Sequence, residues 1–131
     1  MLHFTSLPWH DAEVHCFNVS WSANGIAQVV LKIEINPEES LQPFIEMGIN
    51  SPIMDICFKQ IWRLKSDLRG DSCPKELLLD WHIIQPSPFV TEIKNQGMAQ
   101  DIPLYHQQLQ FSGGSVIDLV FEEVCLTQIP T

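Results

Sequence analysis

Between Glu13 and Ile35 apolar and polar residues alternate with the period of strands that bury one face. In the first run Val14, Cys16, Asn18 and Ser20 fall on one side, and His15, Phe17, Val19 and Trp21 on the other. Ala23-Asn24-Gly25 interrupts it, and Asn-Gly readily takes the positive φ values of a tight hairpin turn. The return strand, Ile26 to Ile35, sets Val29, Leu31, Ile33 and Ile35 against Gln28, Val30, Lys32 and Glu34, so one face is buried and the other largely wet. Asn36-Pro37-Glu38-Glu39-Ser40 ends the ladder. Leu41 to Ile49 contains Pro43 and Gly48 and reads as a short strand or a single helical turn.

The next segment supports two periods. Ile53, Ile56, Cys57, Ile61, Leu64 and Leu68 form a helical stripe, whereas Met54, Ile56 and Phe58 form a strand whose phase slips at Lys59-Gln60. An internal echo favours the strand: residues 55–61 read DICFKQI and residues 118–124 read DLVFEEV. The second copy follows Gly113-Gly114, a turn after the alternating run His106 to Phe111, and it is rich in β-branched residues. By analogy residues 53–65 are a strand, with a β-bulge at the paired polar residues of both copies resetting which face is buried. A true repeat and a chance likeness are both compatible with so short a match.

Gly70 to Lys75 reads as a loop and Leu77 to Ile84 as a strand, with Leu78, Asp80 and His82 opposing Leu77, Leu79, Trp81 and Ile83. Gln85 to Pro103 is rich in Pro, Asn and Gly and reads as an excursion, with a short strand at Phe89 to Ile93. The expected fold is mainly β: one antiparallel sheet of about six or seven strands, a sandwich or partly open barrel, with at most short helices.

Composition narrows the function classes. The chain has 131 residues, 45% of them hydrophobic and 18% charged, which suits a single folded domain over residues 1–131. Its 16 acidic against 7 basic residues leave a net charge of -9. That excess disfavours nucleic acid, whose affinity comes from Lys and Arg on phosphates, and suits a basic protein partner. No run approaches the ~20 apolar residues that span a bilayer. The stretch MLHFTSLPWHDAEVH has no basic n-region and carries His10, Asp11 and Glu13 where a signal peptide is apolar, so a cytoplasmic protein is expected. Cys16, Cys57, Cys73 and Cys125 are scattered without CxxC or zinc-knuckle spacing, and free thiols are expected.

Few residues suggest chemistry. His10, Asp11, Glu13 and His15 are the densest ionisable cluster; in an extended chain Asp11, Glu13 and His15 would share a face able to hold a divalent metal. Their spacing matches no established ligand motif, and a Trp9-His10-Asp11 turn accounts for them without a metal. His82 reads as a cross-strand polar partner. Ser112-Gly113-Gly114-Ser115 is neither GxSxG nor a P-loop and reads as a hairpin turn. Glu38-Glu39 and Glu122-Glu123 are adjacent carboxylates, which point to opposite faces of a strand and cannot grip one bond as a catalytic pair. Trp21 and Trp81 are expected in or near the core. Trp62, beside Arg63, is either buried or an exposed interface anchor.

LPWHDAEVHCFNVSW followed by NGIAQVVLKIEI resembles small bacterial proteins with a WHDAE-like opening, some of them similar to immunity proteins of polymorphic toxin systems. The likeness spans Leu7 to about Ile35, plus the strand 55–65, and His10, Asp11 and Glu13 match the opening. It implies a small cytosolic β-rich protein without catalysis and transfers no contact residues. The expected function is thus a non-enzymatic binding protein, immunity- or antitoxin-like, sequestering a basic partner through Glu38, Glu39, Trp62, Asp67, Asp71, Glu122 and Glu123. No cofactor or metal is expected, and the chain would be a monomer or a homodimer. The alternatives are a small-molecule cleft lined by Trp62, Trp81 and His82, and a hydrolase or metal enzyme built on His10, Asp11 and Glu13.

Overall fold

Six strands and two short helices follow one another in the computed structural model, which describes residues 12–23, 25–35, 42–46, 48, 51–67 and 77–129. The order is β1 (Ala12–Ser22), β2 (Gly25–Glu34), α1 (Gln42–Glu46), β3 (Ile53–Asp67), β4 (Leu77–Ile83), α2 (Pro88–Asn95), β5 (Tyr105–Phe111) and β6 (Val116–Gln128). All neighbours are antiparallel, in the order β1-β2-β3-β6-β5-β4. The sheet curls into a barrel whose closing seam is short: β4 returns to β1 only through Ala12↔Leu78 and Glu13↔Leu77. The expectation of an antiparallel, mainly β fold holds in its barrel form. No helix among the described residues is long and apolar enough to cross a membrane.

Inward-facing residues of β2, β3, β5 and β6 fill the barrel. Val29, Leu31, Ile33, Met54, Ile56, Phe58, Leu109, Leu119 and Phe121 are all fully buried. The rings of Phe58 and Phe121 meet edge to face, centroids 4.9 Å apart. These are the equivalent phenylalanines of the two echoed segments, which lie side by side. Phe58 stands opposite Val124, Lys59 opposite Glu123 and Ile61 opposite Phe121, so the copies face each other about a local two-fold axis.

The expected change of phase at the paired polar residues is present in both copies. Core positions step by three, from Phe58 to Ile61 and from Phe121 to Val124. Gln60 takes a positive φ of 57° in this step. The rungs themselves stay in register there; the shift falls one residue later, between Ile61 and Arg63, and leaves Trp62 as the extra residue.

Three sequence expectations need correction. In β1 the register passes from Val14↔Ile33 to Cys16↔Lys32, so His15 is an inserted residue. Such a bulge inverts the alternation: Val14 joins Phe17 and Val19 toward the core, not Cys16, Asn18 and Ser20. Trp21, expected in the core, is 70% exposed. It lies one residue from the hairpin end, beyond Val19↔Val29, the last layer of β1 and β2 residues in the core. Phe89 to Ile93 is helix, not strand. Ser87 caps α2 by accepting a hydrogen bond from Val90 N at 3.1 Å, and Pro88 starts it, where its missing N–H costs nothing. Phe89, Val90 and Ile93 then form one apolar side, with Ile93 buried. The Lys94 ammonium donates to the carbonyls of Ala99 and Ile102, holding the following loop against the helix. Within the stretch expected as a short strand or a helical turn, Gln42–Glu46 form the helical turn α1.

Gln107 is a local conflict. It alternates with Leu109 and Phe111 on the inner face of β5, is fully buried, and no protein group reaches either polar atom of its carboxamide. An unpartnered buried amide costs about 1–3 kcal/mol. Gln107→Met keeps the shape and removes the polar atoms, so it should raise the urea midpoint with an unchanged m-value; an unchanged or lower midpoint would contradict this account.

Candidate functional site

Of the residues expected to contact a partner, Glu38, Glu39 and Asp71 lie outside the described residues. Trp62, Glu122 and Glu123 come together where β3 pairs with β6, whereas Asp67 stands opposite Val116 at one end of that ladder. Trp62 is half-buried, and its indole N–H donates to Glu122 Oε2 at 2.8 Å. Cations run through the same region. Lys59 stands opposite Glu123 and Lys65 opposite Asp118, while Arg63 binds both carboxylate oxygens of Glu92 at 3.0 and 3.4 Å. The local acid excess that the one-dimensional clustering at 118–123 suggested is therefore partly offset by the lysines that stand on the facing strand. Adjacent carboxylates mark a strand stretch, but their charge is decided by which strand lies beside them.

Arg63 also lies over the Phe89 ring, 4.7 Å from its centroid, with the Lys65 ammonium at 6.0 Å. The other neighbour of that ring is His106, stacked at 4.8 Å and 17°. His106 is 4% exposed and links two elements. Its Nδ1 is 2.7 Å from Ser87 Oγ and its Nε2 is 2.7 Å from Asp118 Oδ1, which also accepts from Gln108 Nε2 at 3.1 Å. An ionised carboxylate only accepts, so a proton on Nε2 joins His106 to Asp118, and the direction of the Ser87–His106 bond follows from whether Nδ1 also carries one. A cavity of about 240 Å³ lies beside the relay, lined by Ile83, Val90, Leu104 and Tyr105 as well as Ser87 and His106.

Serine, histidine and aspartate in series could in principle activate a hydroxyl nucleophile. Here three features fit a structural task. Ser87 Oγ already accepts the Val90 N–H, and the residue after it is Pro88, which has no N–H to offer a developing oxyanion. Ser87 itself is only 7% exposed. The relay satisfies the buried Ser87 and His106 and the partly buried Asp118 while fastening the start of α2 to β5 and β6. Sequence reasoning missed it because its members are separated in the chain; the readable signal was Ser87-Pro88 before an apolar i, i+1, i+4 pattern.

The bulge at His15 creates the remaining cluster. Glu13, His15 and Glu34 each offer a ligand atom, all within 4.8 Å of one another, and His15 Nε2 is 3.1 Å from Glu34 Oε2. Imidazole and two carboxylates are the donor set a divalent ion would use, on a half-exposed surface. Glu34 comes from the partner strand, and the sequence neighbours His10 and Asp11 lie outside the described residues.

Of the cleft expected from Trp62, Trp81 and His82, Trp62 lies on β3 and His82 on β4, with β6 and β5 between them in the sheet order. The Trp81 side chain falls outside what is described; its backbone pairs with Leu109. The Ser112-Gly113-Gly114-Ser115 segment is the β5–β6 turn, with Phe111 N donating to Ser115 O at 2.9 Å and Gly114 at a φ of 94°.

No protein-family model and no curated protein matches this chain.

Proposed function

We propose that this protein is a non-enzymatic binding protein, immunity- or antitoxin-like, that captures a basic protein partner. The observation that carries the reading is Trp21: a large indole, 70% in water, at the end of a long hairpin whose strands are anchored in the barrel. Rigidly held aromatic side chains with this exposure supply most of the energy at protein interfaces. The net charge of -9 supports a basic partner, since complementary fields speed encounter and reject wrong partners. The resemblance of the WHDAEVH opening to immunity-like proteins points the same way.

The partly offset charge of the β3–β6 face moves the emphasis within this reading. Glu122 is engaged by Trp62 and Glu123 faces Lys59, so the hairpin contributes more than these two carboxylates. The test is calorimetric titration of the chain, at rising salt, with any basic protein that a neighbouring gene is found to encode. Affinity should weaken as ionic strength rises, and Trp21→Ala should lose about 2 kcal/mol, roughly thirtyfold. Affinity indifferent to salt removes the electrostatic part, and wild-type binding by Trp21→Ala removes the hairpin.

A further inference from the structure

Cys57 and Cys125 are distant in the chain and stand directly opposite one another in the β3–β6 ladder. Their neighbours Ile56, Phe58 and Val124 point into the core, so both thiols lie half-buried on the outer face. Both are free. Cys57 Sγ also donates to Gln28 Oε1 at 3.4 Å, on the strand at its other side. Directly opposed residues of an antiparallel pair hold their Cβ atoms about 4.5–5.5 Å apart, and a disulfide needs about 3.5–4.5 Å. Closure therefore asks for a movement of about 1 Å with no change of register. Cys16 has no such partner: it lies on β1, with β2 between it and Cys57, and Asn18 Nδ2 is bonded to its sulfur at 3.1 Å.

We propose that Cys57 and Cys125 are an oxidisable dithiol that closes to a cross-strand disulfide by exchange with a small disulfide such as oxidised glutathione. One protein thiolate attacks a sulfur of the small disulfide, forming a mixed disulfide and releasing one small thiol. The second protein thiolate attacks the protein sulfur of that bond and expels the second small thiol. The protein loses two electrons and two protons, and the small disulfide gains them. Burial, with Cys125 beside it, pushes the Cys57 thiol up from its ordinary value, so Cys57 rests protonated. The disulfide would weld β3 to β6, the two longest strands.

The test is incubation of the full chain with oxidised glutathione, followed by alkylation of remaining thiols, peptide mapping and a melting curve. The expected product lacks two hydrogens, carries a Cys57–Cys125 cross-link and leaves Cys16 alkylated. Its Tm should rise by roughly 10 °C and fall back on adding dithiothreitol. Cys16→Ser should behave like wild type. Cys57→Ser and Cys125→Ser should each lose the Tm rise and hold a glutathione adduct on the surviving thiol. A wild-type product with stable single adducts, a cross-link through Cys16 or Cys73, or four unchanged thiols would overturn the proposal, whether or not the serine variants fold.

Discussion

Phe121→Ala is expected to cost about 3–5 kcal/mol, enough to leave a domain of ordinary stability partly unfolded at room temperature. Phe121 is fully buried, meets Phe58 edge to face, and lies 6.0 Å from the Tyr105 ring, so truncation opens a cavity where three strands converge. The surrounding positions cannot collapse into it without breaking rungs of the β3–β6 and β5–β6 ladders. Phe58→Ala should cost a similar amount, because it opens the same space from the other strand. The double variant should cost less than the sum, since the pair shares one contact and one cavity. Chemical denaturation of all three proteins checks this. A loss below about 1 kcal/mol for either single variant, or strict additivity, would show that the phenylalanine pair is not the centre of the core.

His106→Ala should cost about 3 kcal/mol, because it leaves the Asp118 carboxylate and the Ser87 hydroxyl without their buried partner and removes the ring on which Phe89 stacks. The loss should be local as well as global. α2 touches the barrel through Ser87, Phe89 and the Arg63–Glu92 pair, and His106 joins the first two. Amide exchange within Pro88–Asn95 should accelerate far more than exchange in β3 or β6. Ser87→Ala removes the cap and one bond of the relay but leaves the His106–Asp118 pair, and should cost only about 1–2 kcal/mol. Equal losses for the two variants, or uniform acceleration across all strands, would show that the relay does not serve to dock α2.

The legible parts of this fold are those in which the cause is local. β1 and β2 were readable because alternation and Asn24-Gly25 act over a few residues. The strand character of β3 and the phase change at Lys59-Gln60 were readable through the likeness of DICFKQI to DLVFEEV, and the structure adds why the copies matter: they lie against each other and pack Phe58 on Phe121. α2 was misread although its signal was present. Phe89, Val90 and Ile93 have strand propensity, and the Ser87-Pro88 cap outweighs it by satisfying the first helical amide. The bulge at His15 left no signal, because an inserted residue looks like any other in an alternating run.

The candidate sites divide along the same line. That the chain is acidic, mainly β and poor in catalytic motifs follows from composition and short-range pattern. Which cations stand against the acidic residues does not, because strand pairing sets Lys59 opposite Glu123 and Lys65 opposite Asp118, and the docking of α2 brings Glu92 to Arg63. The sequence by itself determined which segments extend, where the first hairpin turns and which residues are apolar enough to be buried, since these depend on neighbours a few positions away. Only the tertiary structure decided that Ser87, His106 and Asp118 form one relay, that Cys57 faces Cys125, that Glu34 joins Glu13 and His15, and that Trp21 stays in water. Those outcomes depend on strand order, on bulges that invert a face, and on where the core ends, all set by contacts between residues far apart in the chain.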